Sequence, residues 1–312
     1  MNFKSFPQLL HYFKDEQKAV KYYEAIRWNG NPTCPHCKAT KPYVTNRGYK
    51  CSNSDCYKKF TVKVGTIFEN SKIPMKLWFA AIYLCTSHKK GISSVQLAID
   101  LGVTQKTAWY MWHRIREMLK AQAPQMLSKE KVIEADETYI GGKEENRHKA
   151  KRLSSPKTGL AYDGTQYNKK KVVIGVIERN GMVILKHIPD AKMENTRPFL
   201  ENAVPLGAKL MTDEASGYKG LSRKYKQQRI NHTYRIYVRG EVHTNTIENF
   251  WSLLKRSLYG IYHQVSEKHL ERYLNEFAAR FNARNVNEFE RLEIFLSRSE
   301  GGLLYKNLTA ND

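Results

Sequence analysis

Four cysteines in two close pairs place the tightest limit on what the first part of this chain can form. Cys34 and Cys37 are separated by two residues, and Cys51 and Cys56 are separated by four. Two short loops that each present two thiolates are the arrangement that a tetrahedral Zn²⁺ ion requires. The spacing therefore predicts a zinc site, with a pair of disulfides or four unrelated buried thiols as the alternatives.

Two residues near this motif are expected to lie outside the metal shell. His36 lies between the first two cysteines, but four thiolates already complete a tetrahedral site. Cys85 follows the apolar run KLWFAAIYL and is predicted to be a buried structural thiol. The turn-rich segment 30–68, with its alternating run KKFTVKVGTIF, is predicted to form the small β module around the zinc ion.

The balance of charge points to a polyanionic partner. The 312 residues include 52 Lys and Arg against 30 Asp and Glu, a formal charge of +22, while 41% are hydrophobic and can form real cores. Surface charge of this kind attracts nucleic acid through counterion release, so double-stranded DNA is the expected partner. A membrane span and a secretory signal are both excluded by the pattern of apolar runs, which predicts a cytoplasmic protein.

The segment GISSVQLAIDLGVTQKTAWYMWHRIREML predicts a helix-turn-helix, with a plain helical hairpin as the alternative. A short helix over 93–100, a turn at Gly102 and a longer helix from Thr104 are expected. In a DNA-binding version, the exposed face of the second helix enters the major groove. The positions expected to pack inward are Ala108, Met111 or Trp112, Ile115 and Leu119. The positions expected to face outward are Gln105, Lys106, Tyr110, His113 and Arg114, of which all but His113 are predicted DNA contacts.

Three carboxylates lie at ends or centres of predicted elements after residue 131. Asp136 lies inside the strand KVIEADETYIGG, Asp213 ends the strand AKLMTDEASGY, and Glu248 lies in a helix capped by Thr244 or Thr246. A hairpin turning at residues 180–181, the helix MENTRPFLENAV and the strand TYRIYV are also expected. Three antiparallel strands, then helix, strand, helix, strand and helix, is the order of a ribonuclease H-like domain. The predicted fold class is therefore α/β, with a mixed sheet of α+β character.

This order is expected to bring Asp136, Asp213 and Glu248 together. Three such acids can hold two divalent ions that activate the attacking oxygen and stabilise the leaving oxygen. Mg²⁺ suits these hard oxygen ligands, and Mn²⁺ should substitute for it. Glu134 shares the strand face of Asp136 and is an auxiliary ligand or a supporting acid, whereas Glu137 points the other way. A surface set of salt-bridged acids is the alternative.

Other residues around this predicted site receive weaker expectations. Lys255 lies two helical turns beyond Glu248 on the same face and is expected to reach a DNA phosphate. Trp251 is expected in the core, and His243 and His263 are more often structural than functional in such positions. The basic segment 141–171 is predicted to be a loop without a core of its own that becomes ordered on DNA.

The chain is thus expected to contain a helix and zinc ribbon over 1–70, a helix-turn-helix over 71–125, a catalytic domain over 126–290 and a C-terminal tail over 291–312. The strings ADETYIGGK, MTDEASGY and HTNTIENFWSLLKRSLYGIYH, behind CPHC and FTVKVGTIFENSKIPMKLWFAAIYL, carry a family resemblance. From about residue 20 to about residue 285, the chain resembles the zinc-ribbon transposases of bacterial insertion sequences related to eukaryotic Merlin elements.

The resemblance implies a DDE transposase that acts as a dimer on inverted-repeat ends, in a nucleoid-associated location. Its implied reaction is metal-dependent hydrolysis that exposes 3′-OH groups, followed by their attack on target DNA. Position by position, Asp136, Asp213 and Glu248 correspond to the catalytic triad, and Lys255 corresponds to the basic residue after the glutamate. Two other functions remain alternatives: a DNA-binding regulator with an inactive nuclease domain, and a structure-specific nuclease that cuts without joining.

Overall fold

The computed structural model describes residues 3–120, 124–142, 144–155, 160–163, 170–230 and 240–310. Its helices are α1 (Phe6–Tyr12), α2 (Glu16–Trp28), α3 (Met75–Ser87), α4 (Ser94–Leu101), α5 (Gln105–Lys120), α6 (Met193–Ala203), α7 (Asn245–Ser257), α8 (Glu267–Asn282), α9 (Glu288–Ser297) and α10 (Tyr305–Thr309). Its strands are β1 (Tyr43–Thr45), β2 (Gly48–Lys50), β3 (Lys59–Phe60), β4 (Ile133–Ile140), β5 (Leu153–Ser155), β6 (Leu160–Ala161), β7 (Lys171–Glu178), β8 (Val183–Ile188), β9 (Lys209–Thr212) and β10 (Lys226–Arg229). The elements are of both kinds, and the mixed α/β class is confirmed.

The chain divides into two compact units. One contains residues 1–123 and 256–312, and the other contains residues 124–255. Residues 256–290, expected in the catalytic domain, therefore belong to the same unit as the ribbon and the N-terminal helices. Residues 291–312, expected as a tail, contribute α9 and α10 to this unit, and Leu292, Phe295 and Leu296 are buried in its core.

The first unit is organised around the apolar helix α3, which is buried along most of its length. The largest side chains of this core include Tyr23, Phe68, and Trp78 and Phe79 of α3 itself, each at most 1% exposed. Cys85 is also fully buried in this core, as predicted, and burial raises the pKa of its thiol well above the usual range. The short strands β1, β2 and β3 form a separate antiparallel ribbon.

The two helices of the predicted helix-turn-helix are present at the expected positions. Ser93 caps α4 by accepting a hydrogen bond from the N–H of Gln96, 3.1 Å away. Gly102 ends α4 in the left-handed conformation at a φ of 64°, which glycine adopts without steric cost. The apolar positions of α5 predicted to pack inward are all buried, namely Ala108, Met111, Trp112, Ile115 and Leu119.

The second unit is built on a five-stranded mixed sheet in the order β10-β9-β4-β7-β8. Strands β4, β7 and β8 are antiparallel neighbours, and β7 turns into β8 at Asn180–Gly181 as predicted. Strand β9 lies parallel to β4, and β10 lies parallel to β9. One prediction was incorrect here, because the connection from β9 to β10 contains two short 3-10 turns instead of an α-helix. Strand β10 itself was not predicted.

The sheet of the second unit is packed on both faces. Alternate residues of β4 and β7, such as Ile133 and Ile174, share a buried core with α6 and the turns after β9. On the opposite face, the ring of Trp251 in α7 lies against Gly175 of β7. The buried side of α7 repeats at the helical period, through Ile247, Phe250, Trp251 and Leu254. Asp136 therefore lies on the face of the sheet that α7 covers.

Several predictions fall on residues that the structure leaves undescribed. The predicted strand TYRIYV (233–238) lies outside the described residues, as do residues 156–159 and 164–169 of the basic segment. The described parts of that segment form a short antiparallel ladder between β5 and β6, and Ala161 there is 3% exposed. In the described parts of the chain, no helix combines the length and the apolar character needed to cross a membrane.

Candidate functional sites

The four paired cysteines converge into one cluster. Their Sγ atoms all lie within 4.8 Å of one another, with 3.4 Å between Cys37 and Cys51 and 3.9 Å between Cys34 and Cys56. All are free thiols, so the disulfide alternative is excluded. Although burial opposes ionisation, backbone N–H groups of Cys37 and His36 lower the pKa of the Cys34 thiol to about 7.

This cluster fits a zinc ion. Four ligands at about 2.3 Å from Zn²⁺ in a tetrahedron are separated by about 3.8 Å, close to the distances between the cysteine sulfurs. Thiolates are also the donors that structural zinc sites use most. The convergence of the four cysteines supports a zinc ion in the ribbon, and the role of each cysteine as a ligand stays a prediction.

Asp136 and Asp213 lie at neighbouring positions of the sheet. In the parallel pairing of β4 and β9, Glu134 is opposite Met211, so Asp136 and Asp213 correspond two residues further along. Asp213 directly follows the last residue of β9, and its Oδ1 accepts a hydrogen bond from the N–H of Ala215, 2.9 Å away. The end of β9 thus places Asp213 beside the middle of β4.

The acids of this region crowd one another electrostatically. Burial, followed by the charges of Glu137 and Asp213, raises the pKa of Asp136 to about 7. Burial also raises the pKa of Glu137, which accepts a hydrogen bond of 2.5 Å from the hydroxyl of Tyr218. Tyr218 belongs to the core on the α6 side, which agrees with the expectation that Glu137 points away from the face of Asp136. A site with this excess of negative charge favours a bound cation.

Glu248 lies in the first turn of α7, with Lys255 two turns further along the same helix. The Glu248 side chain is exposed, and its Oε1 accepts a hydrogen bond of 2.7 Å from the hydroxyl of Thr244. Thr244 thus orients the carboxylate from the position directly before the helix, and the expectation that Thr244 or Thr246 caps α7 stays a prediction. Among the described residues, the cysteines are the only group of three or more metal-binding side chains with ligand atoms all within 4.8 Å, so the three acids are not gathered that tightly.

Three contacts of these acids were not predicted from the sequence. The indole of Trp251 donates a hydrogen bond to Asp136, Arg179 forms an ion pair with Glu134, and Tyr218 binds Glu137. Each contact joins residues between 45 and 115 positions apart in the chain. Local sequence pattern carries no signal for contacts between residues so far apart in the chain. The one available signal is that an indole or a guanidinium group can donate a hydrogen bond to a buried carboxylate.

The outer face of α5 is less accessible than predicted. His113 and Arg114 were expected to face outward, but they are 0% and 4% exposed. The carbonyl oxygen of Leu303 accepts hydrogen bonds from the Tyr110 hydroxyl at 2.5 Å and from Arg114 Nε at 3.2 Å. The segment before α10 therefore covers this part of the helix. Gln105 and Lys106 remain exposed, and their contact with DNA stays a prediction.

The sequence comparisons match both regions described above. The family model of the ISXO2-like transposase domain matches residues 126–282, about half of the chain, and includes all three acids. The chain belongs to the ISXO2-like transposase family. A transposase zinc-ribbon domain also matches residues 14–59, which include all four cysteines. The resemblance found in the sequence is therefore confirmed, and the chain is a zinc-ribbon transposase of the insertion-sequence type.

A relative of this transposase is encoded in a transposable element. An uncharacterized protein in transposable element ISH50 of Halobacterium salinarum is 28% identical over 278 residues, which are 86% of this chain and 91% of that protein. No solved structure matches the chain significantly. The zinc ribbon and the transposase domain together imply that this protein binds DNA.

Proposed function

We propose that this transposase cleaves DNA at the ends of its element and transfers the exposed 3′-OH ends into target DNA. The observation that carries the proposal is the pairing of β4 with β9, which sets Asp136 beside Asp213 on a sheet covered by the helix of Glu248. The strand order β8-β7-β4-β9-β10, with one antiparallel half and one parallel half, supports a ribonuclease H-like fold for this unit.

The proposed metal ligands are Asp136, Asp213 and Glu248, with Mg²⁺ as the ion and Mn²⁺ as a substitute. Their carboxylate oxygens are the hard donors that Mg²⁺ prefers. The raised pKa of Asp136, caused by burial and by neighbouring acids, indicates a place where positive charge would be stabilising. The chemistry that the bound ions supply is stabilisation of charge on the phosphate and a lowered pKa of the attacking water.

The chain itself prepares these ligands. Trp251 and the N–H of Ala215 each hold one carboxylate by a hydrogen bond, at 3.0 Å for Asp136 and 2.9 Å for Asp213. A carboxylate held by such donors presents its remaining lone pairs in a fixed direction. The entropy cost of ordering these side chains when a metal ion binds is therefore lower. Lys255 is proposed to bind a DNA phosphate beside this site.

The DNA partner is proposed to be the inverted-repeat ends together with the target duplex. The charge of +22 supports strong binding to phosphates, and the exposed Gln105 and Lys106 of α5 are proposed contacts. Because two element ends must be joined in one reaction, the active form is proposed to be a homodimer or a larger assembly on DNA.

The test is a cleavage and strand-transfer assay with labelled DNA that carries the element's own ends. Asp136→Asn should abolish both reactions while binding of the ends changes little, because one charge at the site is lost but the fold is kept. Glu201→Gln, which removes a surface acid paired with Lys224 in the same unit, is the matched control and should retain activity. Wild-type protein that binds without cleaving would be a regulator, and one that cleaves without joining would be a nuclease.

A further inference from the structure

We propose that Glu134 is a positioning residue that fixes the start of α7, and with it Glu248, relative to Asp136. The inference rests on the proposed function of these two acids. Glu134 lies two residues before Asp136 on β4 and is 0% exposed. Its partners in α7 are Thr246 and Ile247, which lie two residues and one residue before Glu248. The Glu134 side chain therefore connects the strand of Asp136 to the helix of Glu248.

The contacts of Glu134 are with the first turn of α7. Its Oε2 accepts hydrogen bonds from the N–H groups of Thr246 and Ile247, at 2.8 and 3.0 Å. Its Oε1 accepts one from the hydroxyl of Thr246 at 2.9 Å. The first N–H groups of a helix have no partner within the helix, and a negative charge there is favoured by the helix dipole. Glu134, which lies in strand β4, therefore caps the N-terminus of helix α7.

Arg179 completes the arrangement. Its Nε donates to Oε1 of Glu134 at 2.7 Å, and its Nη2 donates to the carbonyl oxygen of His243 at 3.0 Å. The Nδ1 atom of His243 also lies 3.3 Å from Oε1 of Glu134. A buried carboxylate requires such compensation for its lost hydration. As a result, the chain just before α7 is held by Arg179, and α7 itself is held by Glu134.

These contacts argue against the earlier expectation of Glu134 as an auxiliary metal ligand. A carboxylate offers about four lone-pair sites. Two N–H groups already occupy Oε2, and Arg179 and Thr246 occupy Oε1. A metal ion would have to displace several of these donors. A different residue orients Glu248: the hydroxyl of Thr244 donates a hydrogen bond of 2.7 Å to Oε1 of Glu248.

The first measurement is hydrogen–deuterium exchange of the metal-free protein, followed in peptides that cover 244–250. Glu134→Gln keeps the shape of the side chain but removes the charge that Arg179 and the helix start require. Exchange of this turn should become faster in Glu134→Gln. The matched control is Glu178→Gln, because Glu178 is also a buried acid of this sheet and caps other N–H groups, those of Ser128 and Met182. It should leave the 244–250 peptides unchanged.

The second measurement is Mn²⁺ affinity, by calorimetry and by the Mn²⁺ concentration that gives half-maximal cleavage. Loss of a residue that orients a ligand typically weakens metal affinity about 10- to 100-fold, so Glu134→Gln should need more Mn²⁺ yet regain cleavage when Mn²⁺ is in excess. Thr244→Val should also weaken Mn²⁺ affinity, because it removes the hydroxyl that orients the Glu248 carboxylate. Exchange of the 244–250 peptides should not become faster in this variant, because the contacts of Glu134 with α7 remain.

Two results would overturn the proposal. In one, Glu134→Gln and Glu178→Gln behave alike in both measurements, and Glu134 then has only a general structural role. In the other, Glu134→Gln abolishes Mn²⁺ binding with unchanged exchange, and Glu134 is then a ligand. Failure of the proposed function is recognised separately, by Asp136→Asn protein that still cleaves. The exchange measurement needs neither metal nor activity and still tests the cap in that case.

Discussion

The indole Nε1 of Trp251 donates a hydrogen bond to Oδ2 of Asp136 across 3.0 Å. The same ring reaches this position because Gly175, the partner of Asp136 in the adjacent strand β7, has no side chain. A Cβ atom there would lie 2.7 Å from the Trp251 ring. One side chain of α7 thus packs in the core and also holds a proposed metal ligand, so packing and function are coupled at this point.

Trp251→Phe should reduce cleavage while preserving the fold. Phenylalanine keeps an aromatic ring in the core but cannot donate to Asp136, and a hydrogen bond to a charged group contributes about 1.5–3 kcal/mol, or roughly 10- to 100-fold in rate if it is fully used in the reaction. The measurement is the rate of strand cleavage at saturating Mg²⁺. Trp78→Phe is a suitable control, since that buried indole donates to Ser71 in the other unit. Equal rates for both variants would remove Trp251 from the site.

Gly175→Ala should destabilise the second unit and also impair cleavage. The added methyl would meet the Trp251 ring at 2.7 Å and Leu185 at 2.9 Å, and overpacking of this kind costs about 1–3 kcal/mol. Urea denaturation of wild type and variant measures the change. Gly142→Ala provides the comparison, because nothing lies within 4 Å of a Cβ at that position. A similar small change in both variants would mean that the ring of Trp251 moves aside freely.

Residues that depend on short-range pattern were predictable from the sequence. The cysteine spacing predicted which four thiols lie together, because paired ligands of a zinc site are close in the chain. The strands β4 and β9 were predicted from local sequence pattern, and the predicted order of elements placed Asp136 beside Asp213. Here the local period and the turn signals agree with the tertiary structure, so the pattern was sufficient.

The errors come from contacts that the chain makes over long distances. Strand β10 (Lys226–Arg229) has no apolar alternation, and among the described strands it pairs only with β9 at the end of the sheet. His113 and Arg114 lie on the side of α5 that faces away from α4 and was therefore predicted to be exposed. In the structure, α8 and the segment at Leu303 pack on that side. A helical period shows one buried face, and it does not show whether a second layer covers the other.

Removal of zinc should unfold the ribbon but leave the thiol of the helical core unaffected. Cys37→Ser should lower the bound zinc from about one ion per chain to near zero, since a site of three thiolates and a hydroxyl binds far more weakly. Zinc content measured by atomic emission, together with thermal unfolding, tests this. Cys85→Ala should retain the full zinc content because Cys85 lies outside the cluster. Retention of zinc by Cys37→Ser would contradict the assigned ligand set.

Acid should destabilise the first unit through His113. Burial, and then the charges of Arg116, His269 and Arg272, lower the pKa of His113 to about 2. In the unfolded chain the ring takes up a proton near pH 6.5, whereas the folded ring stays neutral. This group therefore contributes stability that is present above pH 6.5 and is lost as the pH falls toward 2, by at most about 1.4 kcal/mol per pH unit.

Between pH 7 and pH 5, the free energy of unfolding of the wild type should fall by about 2 kcal/mol more than that of His113→Gln. Urea denaturation across this range measures the difference, and exposed His11→Gln should follow the wild type. Zinc release and the other titrating groups affect all three proteins alike, so they cancel in the comparison, and parallel curves for wild type and His113→Gln would show that the ring is protonated inside the fold.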